Sequence, residues 1–201
     1  MAERSFIDYR LHDRGVMVLS LDNPPLNLTT LVTLDKLLFA CRDIAADERV
    51  RAVVVTGSGS KAFCAGSDIS EFPHVRDDVV SCKLARENEA FRALEQLPMP
   101  VIAALNGVAL GGGAEIALAC DIRIMDETAR IGFPEVKLGI FPGSGGIFRL
   151  PPACRSGEGL RAALHRRNGR CTRGASHWPH QPPRAGRARP VRRCCSRRDP
   201  G

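Results

Sequence analysis

The sequence of 201 residues is short of aromatics, with one Trp, one Tyr and eight Phe. It contains no run of eighteen apolar residues, so no transmembrane helix is expected. Its N-terminus, "MAERSFIDYR", is charged and lacks the apolar stretch of a signal peptide. These absences point to a cytoplasmic protein with reduced thiols and no membrane partner. The P-loop ending Gly-Lys-Ser/Thr is missing, and so is the dinucleotide pattern G-x-G-x-x-G.

The charge is unevenly spread. Residues 1–150 carry 16 Lys and Arg against 20 Asp and Glu, a net of −4. Residues 151–201 carry 13 Arg against only Glu158 and Asp199, a net of +11. This tail has no Ile, Phe, Met, Lys or Tyr, yet holds seven of the 14 prolines. Such a composition buries too little apolar surface to offset its ordering entropy, so residues 152–201 are expected to be disordered. Cys154, Cys171, Cys194 and Cys195 have no C-x-x-C spacing, so no zinc or other metal site is expected. Trp178 is the tail's one aromatic for stacking and no nucleic-acid motif is present, so nucleic acid is not an expected partner.

The first 150 residues are organised differently. "GVMVLSLD" (Gly15–Asp22) reads as a strand and "NPPLN" (Asn23–Asn27) as a break. From Thr30 to Ala46, Leu31, Leu34, Leu37, Leu38 and Cys41 fall at helical spacing. "RAVVVTG" (Arg51–Gly57) and "VIAAL" (Val101–Leu105) read as buried strands, with an amphipathic helix over residues 77–97 between them. "NGVALGGG" leads into a short helix ending near Ala119, and "DIRIMD" forms a further strand. This alternation predicts an α/β or layered β-β-α architecture.

A glycine triplet at a helix start has a chemical use. The first turn leaves backbone N–H groups unpaired at the positive end of the helix dipole, and glycine lets a ligand approach them. "KAFCAGSDISEF" (Lys61–Phe72) is a second glycine-bearing crossing from strand to helix. Two such crossings can aim one N–H each at a single oxygen, the layout of an oxyanion hole for a thioester or ester enolate. Close backbone packing is the competing reading of the triplet. Glu115, in the first helical turn, is also compatible with a favourable dipole contact. Glu135, after Pro134, could be an ordinary solvated loop residue. Asp68 reads as the cap of the short helix that follows it. Cys64 and Cys120 lie in apolar strings and read as buried thiols.

"KAFCAGSDI", "NGVALGGGAEIALACDIRI" and "FPEVKLGIFPGSGGIFRLP" resemble, in order and spacing, three signature stretches of the crotonase superfamily, the enoyl-CoA hydratase/isomerase proteins. The resemblance spans residues from about 5 to 151. It implies a ββα spiral as the core domain (1–151), an acyl-CoA substrate, no cofactor beyond the coenzyme A of that substrate, and a homotrimer or hexamer for an intact chain. It places the oxyanion-hole N–H groups on Ser67 and Gly112. The acyl-CoA entrance falls on Ser67, Asp68, Ile69 and Ser70, and the catalytic acids on Glu115 and Glu135. Retention of both acids favours a lyase that hydrates a 2-enoyl-CoA. Glu115 is then assigned to activating water and Glu135 to proton exchange at C2. Enoyl-CoA isomerisation or acyl-CoA thioester hydrolysis on the same scaffold is an alternative. A non-catalytic protein using its basic tail for interaction is another.

The resemblance stops near "RLPP" (Arg149–Pro152), where the family continues with "RLVG", a helix containing "ELLxTG" and a stretch like "IGLVNRVVP". Back-translating "HWPHQPPRAGR" (His177–Arg187) and reading from the second nucleotide yields IGLINRLVPA, in which the glycine follows from tryptophan's single codon. The same shift lets "RAALHRR" encode E-L-L-Y-T-G. Residues after about Pro151 are therefore expected to be translated one nucleotide out of register. The helices that complete the family's acyl pocket and trimer interface would then be missing or replaced, impairing activity.

Overall fold

A computed structural model describes residues 6–153 and 169–170. The chain begins with an antiparallel hairpin, β1 (Phe6–His12) and β2 (Val16–Asp22). Helix α1 (Leu31–Ala46) follows, with Thr30 as its N-cap. The Thr30 hydroxyl accepts from the Thr33 N–H at 3.1 Å, and the Thr33 hydroxyl in turn accepts from the Thr30 N–H. This reciprocal cap pairs donors that the helix start leaves free. Leu34, Leu37, Cys41 and Ile44 form the stripe of α1 that meets the core. Each fully buried Leu or Ile there stabilises the fold by about 1.5–3 kcal/mol relative to exposure.

The rest repeats one unit: a strand in a large sheet, a short strand in a small sheet, then a helix. The first turn is β3 (Ala52–Gly57), β4 (Ala62–Cys64) and a helical region ending in α3 (Ala85–Glu95). The second is β5 (Val101–Leu105), β6 (Val108–Leu110) and α4 (Gly112–Ala119). The third is β7 (Ile122–Met125), β8 (Arg130–Gly132) and a 3-10 turn over Pro134–Leu138. The large sheet has the order β1-β2-β3-β5-β7, parallel from β2 onward. The small sheet has the order β4-β6-β8-β9, with β4, β6 and β8 parallel. This is the expected ββα spiral.

Between α3 and β4 lie a short helix, α2 (Phe72–Val75), and a π-helical turn over Val80–Leu84. The single helix expected over residues 77–97 is thus a 3-10 turn, a π turn and α3 in succession. Helix α4 is buried over all eight residues and packs on α3, β4, β6 and a final helix, α5 (Gly146–Ala153). Its Ala114, Ala117 and Ala119 are small enough for backbones to close in on every side.

Strand β9 (Gly169–Arg170) pairs antiparallel with β8, so these two residues of the basic tail extend the small sheet. The rest of the tail, with Cys154, Cys171, Cys194, Cys195 and Trp178, lies outside the described residues. The out-of-register reading and the expected disorder fall there too, except at Pro152 and Ala153, which lie in α5 (Gly146–Ala153), and at Gly169 and Arg170 in β9. Among the described residues, no helix is long and apolar enough to cross a membrane.

Candidate active site

The two glycine-bearing crossings meet. The loop after β4 is pinned to the segment before α1 by Thr29, whose N–H donates to the Gly66 carbonyl at 2.9 Å and whose carbonyl accepts from the Asp68 N–H at 2.9 Å. A trans peptide is planar, with its C=O and N–H opposed. Since the Gly66 carbonyl faces Thr29, the Ser67 N–H faces the other way. The same logic holds at α4. The Gly111 carbonyl accepts from the Glu115 N–H at 2.9 Å, along the helix axis, so the Gly112 N–H points out of the helix start. Among the described residues neither the Ser67 nor the Gly112 N–H has an acceptor.

The groups are close. A Cβ on Gly112 would stand 3.6 Å from the Ser67 nitrogen, and one on Gly66 would stand 3.6 Å from the Gly112 nitrogen. The triplet divides its work. Gly111 has φ +51°, in the left-handed region, and a Cβ on Gly113 would collide with the Cys64 carbonyl of β4. Both readings of the triplet, close packing and an open helix start, therefore hold at different glycines.

Glu115 projects from the first turn of α4 and is 2% exposed. Its Oε1 accepts from the Gly146 N–H at 2.8 Å, at the start of α5. A Cβ on Gly146 would sit 3.0 Å from that oxygen, so the glycine permits the contact. Burial pushes the Glu115 carboxyl up to about 8, and the charges of Glu87 and Glu135 add to the rise. The Gly146 and Ser144 backbone contacts oppose it without prevailing. Glu135 is 9% exposed in the 3-10 turn after β8. Burial, with Glu87 as a smaller cause, raises it as well. Its Oε2 is buried and has no hydrogen-bond partner among the described residues. Its Oε1 lies 3.0 Å from where a Cβ on Gly111 would be, which brings Glu135 to the start of α4. A buried carboxylate oxygen without a partner is costly and suits a site that receives a polar ligand or water.

Asp68 caps the 3-10 turn Ile69–Glu71, its Oδ1 accepting from the Ser70 N–H at 2.9 Å. Ile69 is exposed on that turn. Ser67, Gly112, Glu115 and Glu135 thus converge, while Asp68, Ile69 and Ser70 stand outside them. Cys64 and Cys120 are buried, and burial pushes the Cys64 thiol up to about 12.

Against this geometry, residues 12–158 match the family model described as Enoyl-CoA hydratase/isomerase. The chain belongs to that family. The match runs past the expected end of the core domain at residue 151. A short-chain-enoyl-CoA hydratase of Clostridium acetobutylicum is 47% identical over 137 residues, 67% of this chain and 52% of that protein. A fatty acid oxidation complex subunit alpha of Pseudomonas aeruginosa is 43% identical over 142 residues, 68% of this chain and 20% of that protein. The crystal structure of an enoyl-CoA hydratase from Bacillus anthracis superposes with a TM-score of 0.79 at 36% identity, covering 83% of this chain and 65% of that one. The chain spans about half the length of the first curated relatives it matches.

Two buried charged residues near the site were absent from the sequence expectations. Lys83, in the π turn, is 2% exposed and its Nζ lies 2.7 Å from Glu71 and 3.2 Å from the Thr29 carbonyl. Glu87, on α3, accepts hydrogen bonds from the hydroxyls of Ser67 and Ser144. A signal for both exists in the sequence: Lys83 and Glu87 continue the stripe of Ala90, Phe91 and Leu94 that faces the core. A charge on an apolar stripe is rarely buried without a partner.

Proposed function

We propose that the chain is an enoyl-CoA hydratase, a lyase that adds water across the double bond of a 2-enoyl-CoA thioester. The observation that carries this reading is the convergence of two acceptor-free N–H groups, Ser67 and Gly112, with two buried carboxyls, Glu115 and Glu135. In this reading the N–H groups hold the thioester oxygen as negative charge develops on it. Losing one such donor costs about 2.7–4 kcal/mol of transition-state stabilisation. Glu115 takes a proton from the water that attacks C3, and Glu135 delivers a proton at C2. Coenzyme A arrives as part of the substrate, past Ser67–Ser70, and no further cofactor takes part.

The high proton affinity of Glu115 sets a condition on its role. It accepts a proton only in the fraction of protein in which it is ionised. Hydration at low substrate should therefore rise with pH through about 8, the value to which burial raises this carboxyl. The exposed Leu138 and Phe141, together with Phe148 on α5, support the homotrimer or hexamer implied by the family resemblance. An out-of-register tail would replace the segment that encloses the acyl chain, so turnover should increase when the frame is restored.

The experiment is a panel of 2-enoyl-CoA thioesters of different chain length, followed by loss of the conjugated double bond. It is run on the full 201-residue chain and on the frame-restored chain. Glu115→Gln and Glu135→Gln should each lower hydration by about 10²–10⁴-fold. Double-bond migration surviving in either variant at the wild-type rate would point to isomerisation. No hydration by either chain, with coenzyme A released instead, would replace the reading with thioester hydrolysis.

A further inference from the structure

Three buried carboxyls converge here, and the reaction above uses two. Glu87 is the third, 3% exposed on α3, which packs on α4. One of its oxygens accepts from the Ser67 hydroxyl and the other from the Ser144 hydroxyl. Lys83 Nζ lies 3.9 Å away, one helical turn earlier. Two hydroxyl donors and an ammonium suit an acceptor-only carboxylate.

The two hydroxyls belong to the two walls of the site. Ser67 carries one of the acceptor-free N–H groups, and its Oγ also lies 3.5 Å from the Thr29 hydroxyl. Ser144 stands two residues before Gly146, whose N–H holds Glu115, and its own backbone also contacts that carboxyl. A continuous path therefore runs from the Ser67 loop through Glu87 to the Ser144–Gly146 loop and on to Glu115.

We propose that Glu87 is a positioning residue, which ties the Ser67 loop to the loop that holds Glu115 and sets its carboxylate beside both Glu115 and Glu135. The proposal rests on the hydratase reading for its catalytic consequence, but the tie and the charge exist without it. Among the described residues, neighbouring elements supply few competing charges. The charge of Glu135, in the turn after β8, acts on Glu115. Arg149 on α5 is committed to Glu95 at 2.8 Å and to the Ser144 carbonyl at 3.1 Å. Arg123 donates to the Ala117 and Cys120 carbonyls at the far end of α4. Among the described residues, Lys83, between Glu71 and Glu87, is the remaining cation in the network. Removing the Glu87 charge should therefore leave Glu115 easier to ionise.

The test begins without substrate. The protonated Glu115 carbonyl band is followed by infrared difference spectroscopy over pH on the full chain and assigned by its loss in Glu115→Gln. Glu87→Gln should lower the midpoint of that band by on the order of one pH unit. Glu87→Asp, which keeps the charge and loses the reach, should leave the midpoint near wild type and still lower turnover, with KM little changed. A purely structural Glu87 would not separate these two variants. An unmoved midpoint in a folded Glu87→Gln protein overturns the proposal. If Glu87→Gln does not fold, Ser144→Ala carries the test. Amide exchange at Gly146 should then quicken at least about tenfold, as expected when a hydrogen-bond anchor is lost, and unchanged exchange overturns the proposal. A shifted midpoint, with no hydration of 2-enoyl-CoA by either the full or the frame-restored chain, would uphold the Glu87 coupling and reject the hydratase reading.

Discussion

Replacing Glu115 by Gln should make the protein more stable at alkaline pH and little different at acid pH. Glu115 is 2% exposed, and burial raises its carboxyl from 4.5 to about 8. The folded chain therefore binds a proton between those values that the unfolded chain has released. Stability from this group is fully present below about 4.5 and is lost progressively as pH rises through about 8. At about 1.4 kcal/mol per unit, the cost between pH 5 and pH 8 amounts to about 3–4 kcal/mol. Gln carries no charge and still offers an oxygen to the Gly146 N–H. The difference in unfolding free energy between Glu115→Gln and wild type should grow by that amount over the same interval. With a urea dependence of about 2 kcal/mol per molar, the midpoints would separate by about 1.5–2 M. Urea titrations at pH 5, 6, 7 and 8 read this directly. A difference that stays flat over the series would refute the assignment of the alkaline cost to Glu115. A decrease with pH would show that the carboxylate is better accommodated than its burial implies.

Further outcomes follow from other packed groups. Lys83→Met leaves Glu71 and Glu87 without their ammonium, and should cost about 3–5 kcal/mol in urea unfolding at pH 7. In the native protein, iodoacetamide at pH 8 should modify Cys82, which is exposed, well before Cys41, Cys64 or Cys120, as read by peptide mass mapping. Burial pushes the Cys41 and Cys64 thiols up to about 12, which removes the reactive thiolate.

The site was legible to different degrees along the chain. Ser67, Gly112, Glu115 and Glu135 lie in short motifs whose order and spacing survive in one dimension, and Thr30 could be read as the start of α1 from the periodicity after it. The small sheet was not legible. β4, β6 and β8 have three residues each, too few to express a period of two. Residues 77–97 read as one amphipathic helix because π, 3-10 and α turns place apolar side chains on nearly the same face. The difference lies in which carbonyl each N–H reaches, which side-chain patterning does not encode.

The sequence by itself determined the family, the alternation of strand and helix and the residue types at the candidate site, because these depend on local periodicity and motif spacing. Only the tertiary structure decided the state of those residues. Burial comes from neighbours distant in the chain, and burial gives Glu115 its high proton affinity. The opposition of C=O and N–H in a fixed peptide turns the Ser67 and Gly112 N–H groups away from Thr29 and Glu115, which have taken the carbonyls. Glu87, 20 residues from Ser67 and 57 from Ser144, acquires its place only when α3 folds against both loops.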